Sequence, residues 1–430
     1  MFGSLLRFLY IVSAYLLMPL IVLHLLWRSL ANPKYRTRIN ERFGLYNGDR
    51  LSGTIWIHAV SVGEVQACEG LVLELLQDYP NRSLLLTTTT PTGSDRAKIL
   101  FGQKVEHSYV PFDIPWAVKS FFDRVSPSIL IILETELWPN LYHECGKRKI
   151  PLVLASARVS PNSINRYRQL VSLFKDTLSN GIVIAAQSQS DANRFLSIGA
   201  HPDRTHFTGN IKFDFSLSES LKRLGYELRS LQAPERPVWI AASTHPNEEE
   251  IILAAHNEIR KIIPETLLIL VPRHPERFSA VASILKRQGE KFITHSSSDV
   301  CTTNCGVLLG DTMGELISFY AAADVAFVGG SLVKAGGHNL LEPAALGLPL
   351  ITGPYNYNSE DIAQMFNECG VNQVVKDKSE IAKVVLELFE DKNLCQNLGD
   401  QGRTLIEANK GTLDRLMVLL KPLIDSISLR

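Results

Sequence analysis

The sequence predicts an α/β protein built from two doubly wound domains in tandem, with a membrane-anchor helix at its N-terminus. Three observations support this prediction. Short β-rich runs alternate with helical patterns from Thr54 onward, which is typical of parallel sheets covered by helices. A charged stretch at 215–237 interrupts the pattern, which then starts again. Residues 8–27 contain no Asp, Glu, Lys or Arg.

Length and composition agree with two domains and exclude some classes of partner. The chain has 430 residues, 45% of them apolar, which is enough for two hydrophobic cores. Its formal net charge is zero and no basic run is interleaved with aromatics, so no nucleic-acid partner is predicted. The six cysteines are dispersed, as expected for reduced thiols in the cytosol. Cys301 and Cys305 lack a second Cys pair, so no zinc site is predicted.

The N-terminal segment, residues 1–30, is predicted to anchor the protein in a membrane. A helix of roughly twenty apolar residues spans the hydrocarbon of a bilayer. Pro19 in its middle and the lack of a following A-x-A site argue against a cleaved signal peptide. Basic residues follow closely and predict that the rest of the chain stays in the cytoplasm: Arg28, Lys34, Arg36, Arg38 and Arg42. A helix lying in the interface and a buried core helix remain alternatives.

Twelve strands are predicted after this segment. In the first domain, residues 31–214, they are 54–59, 83–89, 106–110, 128–133, 151–155, 182–186 and 204–208. The stretch 215–237 is predicted to be the linker. In the second domain, residues 238–410, the strands are 238–242, 267–271, 306–309, 325–328 and 349–352. Residues after about 378 are predicted to be helical, with the last helix, within 411–430, packing back on the first domain.

Polar clusters follow these strands, where open parallel sheets bind ligands. In the first domain they are Ser61–Glu64, Thr87–Gly93, Glu134–Glu136, Ser156–Arg158 and Gly209–Lys212. In the second they are Ser243–His245, Pro272–His274, Met313–Glu315 and the stretch 329–342. Loops are polar in general, so each cluster alone has an ordinary explanation. Together they predict two sets of strand ends that face each other across a cleft.

The stretch 329–354 is predicted to bind a phosphate. Gly329-Gly330 and Gly336-Gly337 precede a helix-forming run, so main-chain N–H groups and the helix dipole favour an anion there. Asn339 and Glu342 fit a capping box, and Glu342 also fits an acceptor for ribose hydroxyls. The chain has no G-x-G-x-x-G, no G-x-x-x-x-G-K-[ST] and no Asp-x-Asp pair. Phosphate charge is therefore expected to be neutralised by side chains such as Arg273 and Lys212 rather than by a metal.

Eight motifs are spread through nearly the whole chain: HAVSVGE (58–64), TPTGSDRA (90–97), ETELWPN (134–140), ARVS (157–160), GNIKFD (209–214), PRHPERF (272–278), MGEL (313–316) and GGHNLLEP (336–343). They resemble those of the transferases of 3-deoxy-D-manno-octulosonic acid (Kdo) in lipopolysaccharide synthesis. GGHNLLEP alone indicates only a nucleotide-sugar transferase, whereas HAVSVGE together with ETELWPN is far more specific.

This resemblance implies a glycosyltransferase of the GT-B type, with two Rossmann-like domains. It implies transfer of Kdo from CMP-Kdo, bound by the C-terminal domain, to the lipid A precursor lipid IVA, bound by the N-terminal domain. The resemblance further implies a reaction on the cytoplasmic side of the cell inner membrane, and we expect it to need no cofactor and no metal.

The resemblance also assigns residues. It implies that Glu64 is the general base and that Glu134 and Lys212 stabilise the transition state. CMP contacts are implied at Pro272, Arg273, Met313, Gly314, Glu315, Asn339, Leu340, Leu341 and Glu342, and Arg158 and Ser61 are further substrate-binding candidates. Without the resemblance, Glu64 fits an acid that complements a helix dipole and Glu134 fits a buried ion pair.

These residues together predict a single displacement in which the acceptor hydroxyl, deprotonated by Glu64, attacks the anomeric carbon and inverts its configuration. Two alternatives remain. One is another membrane-associated GT-B transferase that uses a UDP-sugar. The other is a non-catalytic nucleotide-sugar-binding membrane protein, which would need no acid at Glu64.

Overall fold

The computed structural model describes residues 2–159, 164 and 181–428, which form two compact units. The first comprises Met1–Phe215 with Asn409–Arg430, and the second Ser216–Ala408. Each contains one seven-stranded sheet with parallel pairing, so the predicted class of two doubly wound α/β domains is confirmed. Ser160 of the ARVS motif and the helix predicted between the fifth and sixth strands lie outside the described residues.

The first sheet has the order β3-β2-β1-β4-β5-β6-β7. Its strands are β1 (Thr54–His58), β2 (Leu84–Thr88), β3 (Glu106–Tyr109), β4 (Pro127–Leu133), β5 (Leu152–Ala157), β6 (Ile182–Ala186) and β7 (Thr205–Phe207). The chain moves outward from β1 to β3 and then resumes at β4 on the other side of β1. The carboxyl ends of β1 and β4 therefore flank the point where the strand order reverses, which is where such sheets leave a crevice.

Helices cover both faces of this sheet, and their apolar residues form two cores with the strands. They are α2 (Val62–Ala67), α3 (Glu69–Asp78), α4 (Pro91–Phe101), α5 (Pro115–Val125), α6 (Pro139–Arg148) and α7 (Gln189–Ser197), after the N-terminal helix α1 (Phe2–Ala31). Residues Leu5–Leu30 of α1 are long and apolar enough to cross a membrane, and little of that span is buried.

The second sheet has the order β10-β11-β9-β8-β12-β13-β14. Its strands are β8 (Val238–Thr244), β9 (Leu267–Pro272), β10 (Phe292–Thr294), β11 (Val307–Leu309), β12 (Val325–Val328), β13 (Leu350–Thr352) and β14 (Asn372–Val374). The strand order reverses between β8 and β12. Strands β10 and β14 were not predicted, because each is a three-residue edge strand without a long apolar run.

The stretch 215–237, predicted to be a linker, instead contains the helix α8 (Glu219–Gln232) and lies almost wholly in the second unit. Leu221, Gly225 and Leu228 recur at helical spacing and turn inward, while charged residues cover the outer face. A search for an apolar run overlooks this pattern. A Cβ at Gly225 would lie 2.5 Å from Ser318 O, so α8 packs closely on the helix that carries Ser318.

The remaining helices complete both units. The second unit contains α9 (Glu248–Arg260), α10 (Phe278–Gln288), α11 (Leu316–Ala321), α12 (Leu341–Ala345), α13 (Glu360–Glu368), α14 (Lys378–Glu390) and α15 (Lys392–Asn409). The last helix, α16 (Thr412–Ser428), returns to the first unit. Its Leu416, Leu420 and Ile424 are fully buried in the core that β1 and β2 share. Asp214 accepts hydrogen bonds from the N–H groups of Gly411 and Leu413 and thereby holds the start of α16.

Candidate functional site

Glu64 and Glu134 lie at the reversal point of the first sheet. Glu64 is in the first turn of α2, which follows β1, and Glu134 directly follows β4. Because β1 and β4 are neighbours, with Ile57 opposite Ile131, the two loops lie side by side. The topology thus explains why two motifs that are far apart in the sequence supply adjacent carboxylates.

The carboxylate of Glu64 is held by hydrogen bonds from its own loop. Ser61 is the N-cap of α2 and its hydroxyl donates to Glu64 Oε1 at 3.1 Å, while Glu64 N donates back to Ser61 Oγ at 3.4 Å. The N–H of Val60 donates to Glu64 Oε2 at 2.7 Å. This reciprocal arrangement resembles a capping box, and it fixes the direction of the side chain.

The pKa of Glu64 is raised to about 7. Burial is the main cause, and the negative charges of Glu134 and Glu136 add to it, against the opposing effect of the hydrogen bonds from Val60 and Ser61. A carboxyl group with a pKa near neutrality is divided between its acid and base forms at physiological pH, which suits proton transfer.

Glu134 forms an ion pair with Lys212. Its Oε1 is 2.6 Å from Lys212 Nζ, and its Oε2 is 3.9 Å from Arg158 Nε. The backbone of Glu134 has φ of 56°, a left-handed conformation that is uncommon outside glycine and is found often at functional sites. Two cations therefore meet one carboxylate beside Glu64.

The loop that carries Lys212 is fixed by polar contacts with neighbouring strand ends. Lys212 N donates to Asn210 Oδ1 at 3.0 Å, and Ile211 N donates to Ser156 Oγ at 3.0 Å. Arg158 is held in a similar way, because Thr135 Oγ1 donates to Arg158 O at 2.6 Å. The structure thus brings together all five candidates predicted in the first domain: Ser61, Glu64, Glu134, Arg158 and Lys212.

Glu136 belongs to the same cluster but was not predicted as a site residue. It is half-buried, and its pKa is raised by burial and by the charge of Glu134. Its place in the ETELWPN motif was the available signal. Three carboxylates and two cations in one crevice form an electrostatically coupled group that can take up a proton and can hold an anion.

The candidates in the second unit also follow strands or start helices. Pro272 ends β9 and Arg273 comes next, with its N–H donating to Thr244 O at 3.0 Å. Met313 and Gly314 are exposed, and Glu315 is the N-cap of α11.

The start of α12 carries the other candidates of the second unit. Leu340 is the N-cap of this helix, so Leu341 and Glu342 occupy its first turn. Asn339 Oδ1 accepts from Leu341 N at 3.0 Å. The sequence predicted a capping box with Asn339 as the N-cap residue. The N-cap residue of α12 is instead Leu340, one position later.

The glycine stretch is organised by a buried carboxylate, that of Glu248, which the sequence did not reveal. Glu248 accepts hydrogen bonds from the N–H groups of Gly330 (2.7 Å), Ser331 (3.0 Å) and Leu332 (2.8 Å) and also from His245 N. The N–H groups of this stretch were expected to donate hydrogen bonds to a phosphate, but these three donate to the carboxylate of Glu248 instead. The glycine at position 329 is explained by close packing, because a Cβ there would lie 2.7 Å from Ser243 O.

Three histidines lie at the strand ends of the second unit, near Arg273. His245 Nε2 is 2.8 Å from His338 Nε2, the two rings are stacked, and His274 meets His245 edge-on. Burial lowers the pKa of His338 to about 3, with the charge of Arg273 adding to this effect, and burial also lowers the pKa of His245. Both rings are thus neutral at physiological pH, and one donates to the other. His245 and His274 stood in predicted clusters, but their contact was not foreseen.

Within the part of the chain that the structure describes, no group of three or more His, Cys, Asp or Glu side chains is placed to hold a metal ion. In the first unit, Lys212 and Arg158 balance the charge of Glu134.

Comparisons with known proteins cover both units. Residues 37–215 match the family model of 3-deoxy-D-manno-octulosonic-acid transferase, and residues 241–405 match that of glycosyl transferases group 1. The chain is 43% identical over 422 residues to a 3-deoxy-D-manno-octulosonic acid transferase of Haemophilus influenzae, covering 97% of this chain and 99% of the relative. It is 33% identical to the enzyme of that name from Bordetella pertussis, covering 86% and 87% of the two chains.

Among solved structures, the chain resembles a UDP-GlcNAc 2-epimerase from Neisseria meningitidis. The TM-score is 0.56 at 14% sequence identity, with 86% of this chain and 100% of the other chain covered. At this identity the likeness extends to the fold alone, which has two Rossmann-like domains.

Proposed function

The chain belongs to the 3-deoxy-D-manno-octulosonic-acid transferase family and is a glycosyltransferase, and on that premise we propose that it moves Kdo from CMP-Kdo to the lipid A precursor lipid IVA with inversion. The proposal rests chiefly on one observation. Glu64, in a motif through which the chain resembles the family, has a pKa of about 7 and lies beside the Glu134–Lys212 ion pair.

Glu64 is the proposed general base. A sugar hydroxyl is a weak nucleophile, and a carboxylate within hydrogen-bonding distance makes it a stronger one by taking its proton during attack. The hydrogen bonds from Ser61 and Val60 support this role, because they hold the carboxylate in one orientation. A single displacement by this hydroxyl forms the new glycosidic bond, breaks the bond to the CMP phosphate and inverts the anomeric carbon.

Lys212 and Arg158 are proposed to face the anionic groups of the reacting sugar donor. CMP-Kdo carries a carboxylate on the sugar and a phosphate on the leaving group, and fixed cations stabilise the charge that develops as CMP departs. Glu134 positions Lys212 through their 2.6 Å contact. Ser61 is proposed to contact substrate through its hydroxyl group.

The second unit is proposed to bind the CMP moiety. Arg273 is the cation for the phosphate, and Glu342, half-buried in the first turn of α12, accepts hydrogen bonds from the ribose hydroxyls. The other proposed contacts are Pro272, Met313, Gly314, Glu315, Asn339, Leu340 and Leu341. Glu248 is not proposed to touch CMP; it holds the adjoining loop.

The enzyme is proposed to work on the cytoplasmic side of the inner membrane, anchored by α1. Its acceptor is a lipid, so anchoring keeps the active site at the depth where acceptor headgroups emerge. The apolar helix and the basic residues that follow it support this location.

Purified protein should convert CMP-Kdo and lipid IVA into a Kdo-containing lipid, detected by mass spectrometry. Glu64→Gln should lose transfer and keep CMP-Kdo binding, whereas Glu69→Gln, the matched change at the start of α3, should behave as wild type. Transfer from UDP-GlcNAc rather than CMP-Kdo, or near-normal turnover by Glu64→Gln, would reject the proposal.

A further inference from the structure

We propose that α1 lies in the plane of the membrane surface, with one long side inserted, and does not cross the bilayer. This inference rests on the proposed membrane attachment and concerns its geometry. It follows from which residues of α1 are exposed and from the contacts that hold the two ends of the helix.

One stripe of α1 is less exposed than the rest of the helix along nearly its whole length. The residues recur every three or four positions, so they form one face. From Tyr10 to Ser29 the face extends about 29 Å, close to the thickness of a bilayer's hydrocarbon layer. This covered stripe consists of Leu6, Arg7, Tyr10, Ile11, Ala14, Met18, Ile21, Val22, Leu25 and Ser29, all buried or half-buried.

Polar contacts attach the covered stripe to the folded first unit near the N-terminal end of α1. The hydroxyl of Tyr10 donates to Asp113 Oδ2 at 2.8 Å. The same carboxylate accepts the N–H groups of Asn140 (2.9 Å) and Leu141 (2.8 Å) at the start of α6. Arg7, one turn earlier, has Asp113 and Glu144 as its charged neighbours.

The C-terminal end of α1 is attached to the same unit. Leu25 and Ser29 are buried, and the guanidinium of Arg28 lies over the Tyr35 ring at 4.3 Å from its centroid. A helix crossing the bilayer with both ends attached would draw Asp113 and its neighbours on α6 into hydrocarbon. Ionised groups and exposed backbone are costly there. An in-plane helix avoids this cost and keeps every contact.

The opposite side of α1, which we call the open face, is suited to lipid. A water-soluble protein rarely leaves a long apolar side of a helix uncovered, whereas α1 exposes one along most of its length. Arg28 and Arg36, at the end of the helix and just after it, are exposed, as expected for a surface that meets anionic headgroups. The occupant of the open face is therefore a lipid monolayer rather than a second copy of the chain. The open face comprises Leu5, Phe8, Leu9, Val12, Leu16, Leu20, Leu23, Trp27 and Leu30, all exposed and all apolar.

Nitroxide labels test this geometry. Leu9→Cys, Leu16→Cys and Leu23→Cys lie on the open face at intervals of two helical turns, and all three positions are exposed. They are placed singly in full-length protein carrying Cys369→Ser and Cys395→Ser, since the other four cysteines are buried. Depth is then measured by electron paramagnetic resonance in vesicles of phosphatidylethanolamine and phosphatidylglycerol. Val22→Cys in the covered stripe is the matched control.

In-plane insertion predicts the same shallow depth at all three open-face positions and low lipid exposure at Val22→Cys. A spanning helix separates Leu9 and Leu23 by about 21 Å along the bilayer normal and makes Leu16 the deepest position, which would overturn the proposal. Spin–spin broadening without lipid exposure would show that a second copy covers the open face, and would also overturn it. Failure to bind vesicles at all would reject membrane attachment itself, so the two failures are distinguishable.

Discussion

Lys212 Nζ and Glu134 Oε1 are 2.6 Å apart, and this ion pair lies beside the carboxyl group of Glu64, whose pKa is about 7. The negative charge of Glu134 raises the pKa of Glu64, and Lys212 is the cation paired with that charge. We therefore expect a change at either member of this ion pair to move the proton affinity of the proposed base in a known direction.

The rate of Kdo transfer at low substrate concentration should rise with pH through a midpoint near 7 and level off about one pH unit above it. Glu64 accepts a proton only as a carboxylate, and its pKa of about 7 sets the midpoint of the rise. Glu64→Gln should lower the rate by about 100-fold or more, since general bases typically contribute that much. The pH profile of kcat/KM checks both points. A rate that stays constant across the acid and alkaline sides of neutrality would contradict the assignment.

Glu134→Gln should shift that midpoint to lower pH. Removing the negative charge of Glu134 eliminates one cause of the raised pKa of Glu64, so the base ionises more readily. Activity at high pH should also fall, because Lys212 loses its partner. The measurement is again kcat/KM against pH, with Glu69→Gln as the control that should leave the midpoint in place.

Lys212→Met should shift the same midpoint to higher pH. Without Lys212, the charge of Glu134 acts on Glu64 with less compensation, and the protonated form of Glu64 is favoured. The two variants thus move the profile in opposite directions, which a simple loss of folding would not do. Equal shifts of the same sign would show that the three groups are not coupled in this way.

Glu248→Ala should weaken CMP binding by roughly tenfold or more, which corresponds to about 1.4 kcal/mol of binding free energy. The N–H groups of Gly330, Ser331 and Leu332 would lose their shared acceptor, and the loop before Asn339 would lose its fixed conformation. Calorimetry with CMP and amide hydrogen exchange of the loop measure this. Glu387→Ala, an exposed acid on α14, is the control. Unchanged exchange in Glu248→Ala would refute the role.

Deleting residues 1–31 should release the protein from membranes and leave CMP binding unchanged. The deletion removes the open face of α1, while the proposed CMP contacts all belong to the second unit. Sedimentation with vesicles and calorimetry measure the two properties. The deletion also uncovers the side chains that meet the covered stripe, so a modest fall in the melting temperature of the first unit is expected.

Buried parallel strands were the most predictable feature of this chain. Val325–Val328 illustrates the reason, because a short run of consecutive apolar residues, here between Asp324 and Gly329, is typical of a strand covered on both faces. Short edge strands such as Asn372–Val374 lack that signal, because one side of an edge strand has no neighbour. Helix α8 was missed because its inward residues are separated by charged ones.

The candidate site was predictable where a motif and a strand end coincide, as at Glu64 and Glu134. Glu248 was not, because its importance depends on three amides that are distant in the sequence, and only the fold brings them to its carboxylate. The stacking of His245 on His338 was not predicted for the same reason, because the two residues are far apart in the sequence. Long-range hydrogen bonds of buried polar groups leave no local pattern in a sequence.

The return of α16 to the first unit has a consequence for biosynthesis. Leu416, Leu420 and Ile424 fill the core beside β1 and β2, yet the ribosome adds them only after the entire second unit. While the second unit is being translated, the nascent first unit exposes an unfilled apolar surface. Chaperones therefore have a window in which to act, and fragments that end before α16 are expected to aggregate.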